Sequence, residues 1–189
     1  MRNDFPAGCR TAVLRGKISG EELREKYIDI PKYGAMCANC PNYGKCWTCP
    51  PYDFDPMEIW DRCEEAELVA LQIFPEKSED REWAAKDVRS FLAPYRTAVD
   101  VELTRLEETT PHSRRLNAGK CHLCRVCARE EGKPCRIPEE ARYSLESLGG
   151  AVGALMEDVL HVPLCWGKDG QPPEYYVLVG ALLREREDA

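Results

Sequence analysis

Cysteine dominates the chemistry available to this chain, which has 11 cysteines among 189 residues. Eight of them fall into two short segments, whereas Cys9, Cys63 and Cys165 stand alone. The total is odd and the N-terminal sequence lacks the apolar stretch of a secretory signal, so a disulfide framework is not expected. Closely spaced thiols in a reducing compartment are typical of metal ligands. We therefore expect a cytoplasmic metal-binding protein.

The second cysteine segment, residues 119–138, has the sharper pattern. Cys121, Cys124 and Cys127 are separated by two residues each, and Cys135 follows after seven more. Three thiolates at this spacing can wrap round one cluster. Bacterial ferredoxins use such a run for [4Fe–4S] clusters. Zinc sites more often pair two separated Cys-x-x-Cys knuckles. The pattern favours a [4Fe–4S] cluster at these four cysteines, with zinc as the alternative.

Basic side chains surround this second segment although the formal net charge of the chain is −7. The basic residues are Lys120, Arg125, Arg129, Lys133 and Arg136. Four thiolates around a [4Fe–4S]²⁺ core carry a net charge of about −2, which nearby cations would offset. The alternative is an ordinary solvated loop. His122 lies between two candidate ligands, and we expect its side chain to point away from the metal.

The first cysteine segment, residues 37–51, contains two Cys-x-x-Cys pairs. Its four thiols are Cys37, Cys40, Cys46 and Cys49. Thiolates suit iron–sulfur clusters and zinc alike, but the linker between the pairs is short for a zinc ribbon. We expect a second [4Fe–4S] cluster here, again with zinc as the alternative. Gly44 would supply a backbone angle that other residues resist, and Trp47 would shield the metal or pack on the core.

The two patterns together resemble a family of predicted metal-binding proteins, a domain of unknown function from anaerobic bacteria and archaea. The matching residues of the first segment are Cys37, Cys40, Tyr43, Gly44, Trp47 and Cys49-Pro50-Pro51. Those of the second region are Gly119, Cys121, Cys124, Cys127, Cys135-Arg136, Pro138, Ala141-Arg142, Ser144 and Glu146. The resemblance covers the chain from Cys37 to about Val152. It implies metal binding and no established reaction.

The fourth ligand of the first cluster stays open at this point. Cys46 is not a fixed position of the family pattern. Cys46 or one of the three lone cysteines could therefore fill the place, or the iron could remain open to another molecule.

Three polar residues after the second segment also match the family pattern, namely Arg142, Ser144 and Glu146. They could bind an anionic substrate near an iron. The alternative is a helix start in which Arg142 makes a salt bridge, and we favour this second interpretation.

The rest of the sequence predicts an α+β fold in a single domain, residues 1–189, with a small sheet covered by helices on one side. Strands are expected at 11–14, 68–74 and 175–183. Helices are expected at 21–27, 55–65, 139–148 and 151–160. Cys63 would lie on the second of these helices. Pro94 interrupts a helical pattern that runs from Trp83 to Leu106, which predicts a kink or two successive helices.

Composition and missing motifs exclude several classes of function. No apolar run approaches the ~20 residues of a membrane span, so no membrane association is expected. The net charge of −7 weighs against a nucleic-acid partner. Nucleotide-binding, serine hydrolase and His-Glu-x-x-His signatures are absent.

Three functions remain. The first is electron transfer through two [4Fe–4S] clusters, with a redox partner protein. The second is an enzyme whose open iron site binds a small substrate. The third is a non-catalytic zinc-binding module in which both sites hold loops together.

Overall fold

A computed structural model describes residues 9–169 and 171–187, and it confirms the α+β class. The strands are β1 (Arg10–Ser19), β2 (Cys63–Phe74), β3 (Ser113–Leu116) and β4 (Tyr176–Glu185). The helices are α1 (Gly20–Tyr27), α2 (Ile30–Ala38), α3 (Met57–Arg62), α4 (Ser78–Lys86), α5 (Val88–Thr109) and α6 (Val152–Asp158). Two short 3₁₀ helices occupy Ala128–Glu131 and Glu146–Leu148.

The four strands form one antiparallel sheet in the order β1–β2–β4–β3. The central strand β2 is nearly continuous in apolar residues, as a strand buried on both faces requires. Leu68 and Ala70 belong to one hydrophobic core, whereas Val69, Leu71 and Ile73 belong to another. The alternation follows from the period of two along a strand.

Helices cover both faces of this sheet, so the expectation of cover on one side is wrong. Leu23 of α1, Trp60 of α3 and Leu155 of α6 pack in the core of one face. Phe91 and Leu103 of α5 pack in the core of the other face. The expectation of cover on one side failed because successive apolar residues of β2 point to opposite faces of the sheet. The strand therefore contributes side chains to two cores.

Side chains at the helix starts fix the boundaries of several elements. Ser19 Oγ accepts the backbone N–H of Glu22 at 3.2 Å at the start of α1. Asp55 Oδ1 accepts the N–H of Met57 at 2.9 Å at the start of α3. That helix ends at Arg62, and Cys63 begins β2 instead of lying on the helix. Within the described residues, no helix is both long enough and apolar enough to span a bilayer.

The long helical pattern divides at Asp87 and not at Pro94. Asp87 Oδ1 accepts the N–H of Ser90 at 3.1 Å and so begins α5, which then runs through Pro94. Of the two predicted alternatives, a kink or two successive helices, two helices form. Their boundary lies at Asp87 and not at Pro94, because the Asp87 side chain caps the start of α5.

The predicted helix at 139–148 is wrong. Most of this segment is irregular, and only Glu146–Leu148 forms a 3₁₀ turn. Ser144 and Ser147 bond to each other's backbone, since the N–H of Ser144 donates to Ser147 Oγ at 3.0 Å. The carbonyl of Tyr143 accepts the N–H of Asn117 at 2.8 Å. Such side-chain and long-range bonds compete with helix formation.

Gly180 in β4 provides a test of the sheet packing. A Cβ at this residue would lie 2.5 Å from Leu103 Cδ1 and 2.5 Å from the carbonyl oxygen of Leu116. Gly180→Ala should therefore lower the free energy of unfolding by about 1–3 kcal/mol, measured by urea denaturation. Gly34→Ala is the matched control, because no atom lies within 4 Å of the added Cβ. That helical substitution should stabilise by about 0.5–1 kcal/mol. A Gly180→Ala protein as stable as wild type would contradict this packing.

Candidate metal centre

The first cysteine segment begins at the end of α2. This helix is held at its start by the N–H of Asp29, which donates to the carbonyl of Gly149 at 2.9 Å. Asp29 Oδ1 in turn accepts the N–H of Lys32 and caps the helix. Cys37, in the last turn, is placed with its Sγ 4.0 Å from the carbonyl oxygen of Glu146. The anchoring of α2 therefore sets the position of the first thiol.

Backbone hydrogen bonds close the loop that follows. In each Cys-x-x-Cys pair the second cysteine donates its N–H to the carbonyl of the first, at 2.9 Å and 3.0 Å. The N–H of Gly44 donates to the carbonyl of Pro50 at 2.9 Å. Gly44 has a φ of +69°, so the predicted need for an unusual backbone angle is confirmed.

Helix α5 holds both ends of the second cysteine segment. Asp100 Oδ1 accepts the N–H of Ala118 at 3.0 Å, just before the segment starts. Beyond the segment, Arg142 donates from Nε and Nη2 to the two carboxylate oxygens of Glu107, at 2.9 Å and 3.1 Å. The same carboxylate accepts from Arg115 Nη1 at 2.7 Å. The predicted salt bridge of Arg142 is confirmed, although no helix starts there.

These contacts shift the pKa of Glu107. Burial alone would raise it, but hydrogen bonds from Arg142 and Arg115 hold the pKa of this carboxyl below its usual range. Glu107 therefore remains ionised and keeps the chain beyond the second segment fixed to α5.

Arg129 joins the second segment to the first. From the 3₁₀ turn after Cys127, its Nη1 donates to the carbonyl oxygens of Cys46 at 2.9 Å and Cys49 at 2.6 Å. Its Nη2 donates to the carbonyl of Pro51. The guanidinium also lies 5.0 Å from the ring centroid of Trp47. One planar cation thus satisfies three carbonyls of the other loop.

Two further hydrogen bonds tie the segments together. Trp47 Nε1 donates to the carbonyl of Lys133 at 3.0 Å. The buried Thr48 accepts the N–H of Cys121 at its Oγ1, at 3.1 Å, while the same oxygen lies 3.4 Å from Cys46 Sγ. The two loops consequently form one unit with the thiols between them.

Five thiols line one small, enclosed cavity between the loops. They belong to Cys46, Cys121, Cys124, Cys127 and Cys135. The indole of Trp47 forms part of the same wall, with Ile137. All four cysteines predicted for the second site therefore come together, and Cys46 of the first segment joins them.

The remaining three thiols of the first segment line a second and larger pocket of about 440 Å³, against about 20 Å³ for the five-cysteine cavity. These are Cys37, Cys40 and Cys49. Asn42 is also on the wall, and its Nδ2 donates to Cys40 Sγ at 3.7 Å. Of these two cysteine cavities, the three-cysteine pocket has room for a further molecule beside the thiols.

Cys46 and Cys49 stand at the boundary between the two sites. A hydrogen bond from the Cys49 side chain, with others from Thr48, holds the pKa of Cys46 below its usual range. The pKa of Cys49 is raised, because its proton is held by Cys46 and because the thiol is buried. The two residues line different cavities, although the N–H of Cys49 donates to the carbonyl of Cys46.

All 11 cysteines are free thiols. Within residues 9–169 and 171–187, no three Cys, His, Asp or Glu side chains meet as closely as a single metal ion requires.

The lone cysteines lie away from both cavities. Cys63 is fully buried in the core beside β2, where burial raises the pKa of its thiol to about 12. Cys9 lies beside Tyr95, and burial raises its pKa as well. Cys165 lies in the loop between α6 and β4 and lines neither cysteine cavity.

The basic residues of the second segment have separate roles. Arg129 ties the loops, while Lys133 pairs with Glu131 at 2.7 Å on the exposed surface. Arg136 lines the five-cysteine cavity and donates to the carbonyl of Val126 at 2.8 Å. His122 lines neither cysteine cavity, and its Nε2 lies 3.5 Å from Asp100 Oδ2.

The sequence analysis missed two arginines of the three-cysteine pocket, Arg89 and Arg96. Both are on α5, where the sequence showed only a helical pattern. Their spacing of seven residues places them on one face of the helix. Nothing local to the sequence indicates that this face meets the first cysteine segment.

Comparison with known proteins agrees with these thiol cavities. Residues 25–183 match DUF2284, a family described as predicted metal-binding proteins. The chain belongs to this family. The DUF2284 match includes both cysteine segments and every residue that lines the two cavities. No curated protein and no solved structure matches the chain.

Arg129→Met tests whether the loops depend on the guanidinium. The substitution keeps an apolar stem but leaves three carbonyls without their donor, so we expect a loss of about 2–4 kcal/mol of stability. Metal content per chain should also fall by at least half, measured by elemental analysis. The control is Arg125→Met in the same loop, since Arg125 is exposed. Equal metal content in the two variants would contradict a tying role for Arg129.

Proposed function

We propose that this DUF2284 protein carries two [4Fe–4S] clusters in adjacent sites and transfers electrons through them. Such clusters accept and release single electrons, over a range of potentials set by their protein surroundings. The carrying observation is that the cysteines of the two loops line two neighbouring cavities, joined where the N–H of Cys49 donates to the carbonyl of Cys46 at 3.0 Å. Groups held in the two cavities would be separated by little more than these two side chains.

The donor set supports iron–sulfur clusters over mononuclear zinc. Tetrahedral zinc with Zn–S bonds of about 2.3 Å draws its thiolates to within about 3.8 Å of each other. A cluster keeps its ligand sulfurs further apart, because metal and sulfide lie between them. The two-residue spacing of Cys121, Cys124 and Cys127 is that of the ligands of [4Fe–4S] clusters in bacterial ferredoxins.

The two sites differ in how many cysteines they offer. Cys121, Cys124, Cys127 and Cys135 would hold the first cluster completely, with Cys46 beside it in the wall. Their loops would move apart to admit the cluster, because the cavity of about 20 Å³ has room for about one water molecule. Three thiols, those of Cys37, Cys40 and Cys49, would hold the second. The assignment of Cys46 to the five-cysteine cavity explains how the first segment could leave one iron without a cysteine.

The surface above the five-cysteine cavity suits a redox partner protein. Leu123 and Val126 are each 44% exposed, and Trp47 is 36% exposed. Arg125 and Arg136 add positive charge in the same segment, although the chain as a whole is acidic. Apolar contact surrounded by basic residues favours a partner with an acidic face.

Cysteine variants of anaerobically purified protein test the proposal. Cys124→Ser should lose about half of the iron and one of two electron paramagnetic resonance signals after reduction with dithionite. Cys46→Ser should leave the signal of the three-cysteine site unchanged. Cys165→Ser is the matched control and should retain both signals.

Two results would overturn the proposal. One is a colourless protein with zinc in place of iron. The other is a Cys124→Ser protein whose iron content and spectrum match those of the Cys165→Ser control.

A further inference from the structure

The three-cysteine pocket has an excess of positive charge. Arg89, Arg96 and Lys120 line its wall, while Glu146 alone among the lining residues is acidic. None of the three cations makes a hydrogen bond or salt bridge within the part of the chain that the structure describes. Cations elsewhere near the site do have partners, as Arg129 and Arg142 show.

Arg96 is the most informative of these three cations. Its Nε is buried and has no hydrogen-bond partner among the described residues. The side chain lies 3.9 Å from the position of a Cβ on Gly119, at the entry to the second segment. A buried donor without an acceptor costs about 1–3 kcal/mol, and an anion that contacts the guanidinium of Arg96 from the pocket would offset part of this cost through its charge.

Charge counting shows that a metal group does not neutralise this wall. Three thiolates with a [4Fe–4S]²⁺ core carry a net charge of about −1. Glu146 contributes one more negative charge. Against three cations, at least about one positive charge remains.

The size of the pocket limits the ligand to a small molecule. Its volume of about 440 Å³ lies within the usual range for small-molecule sites, about 300–1,000 Å³. Arg89 and Lys120 are exposed, whereas Arg96 is half-buried, so the charge extends from the opening to the interior.

We propose that the three-cysteine pocket binds a small oxyanion, a carboxylate or phosphate group held by Arg96, Lys120 and Arg89. Planar guanidinium groups match the oxygen pairs of such anions, and the lysine adds a point charge. The ligand would lie beside the coordination position that three thiols leave free. The position of the anion beside a cluster rests on the proposed function. Anion binding itself requires only the cationic side chains.

Calorimetric titration of anaerobically purified protein provides the test. The probes are malonate, inorganic phosphate and the uncharged malonamide, and the metal content of each sample is measured first. Malonate or phosphate should bind saturably, while malonamide should not. Binding of malonate alone would assign the site to organic acids, and binding of phosphate alone would assign it to phosphorylated ligands.

Variants identify the residues responsible. Arg96→Gln and Lys120→Gln should each weaken binding at least 10-fold, and Arg89→Gln, at an exposed position, should also weaken it without affecting folding. Glu146→Gln should tighten binding, because it removes the competing carboxylate. Lys45→Gln, an exposed lysine of the first segment outside the pocket lining, is the control and should bind like wild type.

The outcomes separate this inference from the proposed function. Iron-containing protein that binds neither anion, or that binds equally in the Arg96→Gln and Lys45→Gln variants, overturns the anion site and leaves the clusters untouched. Zinc-containing protein whose malonate binding still depends on Arg96 and Lys120 overturns the clusters and supports the anion site.

Discussion

The candidate metal centre depends on the hydrogen bonds that Arg129 makes across the two cysteine loops. Loops that turn their thiols inward expose backbone carbonyls on the opposite side, and these groups require donors. The guanidinium supplies donors to Cys46, Cys49 and Pro51 at once, from a turn that directly follows Cys127. The position of one loop therefore fixes that of the other, and the five-cysteine cavity exists only because the two are held together.

Helix α5 connects the sheet to the two cysteine cavities. Its inner face packs on β2 and β4, so the helix is rigid relative to the core. Asp100 and Glu107 then hold the chain before and after the second cysteine segment. Arg96, one turn before Asp100, reaches the other pocket. A single helix thus holds the second cysteine segment and also carries the arginines of the three-cysteine pocket.

Local patterns predicted much of the fold and singled out the cysteines that line the two cavities. The run at 68–74 reads as a buried strand because its apolar residues are continuous, and β2 contains it. Ser19 caps α1 as its side chain and position suggest. The thiols stand out because several cysteines at two-residue spacing are typical of metal sites. These features depend on neighbouring residues, which is why sequence alone was sufficient.

Features that depend on distant residues could not be predicted in the same way. Cys46 shares its sequence segment with Cys37, Cys40 and Cys49, yet the crossing of the loops places it in the other cavity. The segment 139–148 has helical residues but is drawn out by bonds to Asn117 and Glu107.

The central claim is that two thiol-lined cavities hold iron–sulfide cages in one chain. Its most direct test is the stoichiometry of iron, acid-labile sulfide and zinc in protein purified without oxygen. The account predicts about eight iron and about eight sulfide per chain, with little zinc. About two zinc ions per chain with no labile sulfide would contradict it.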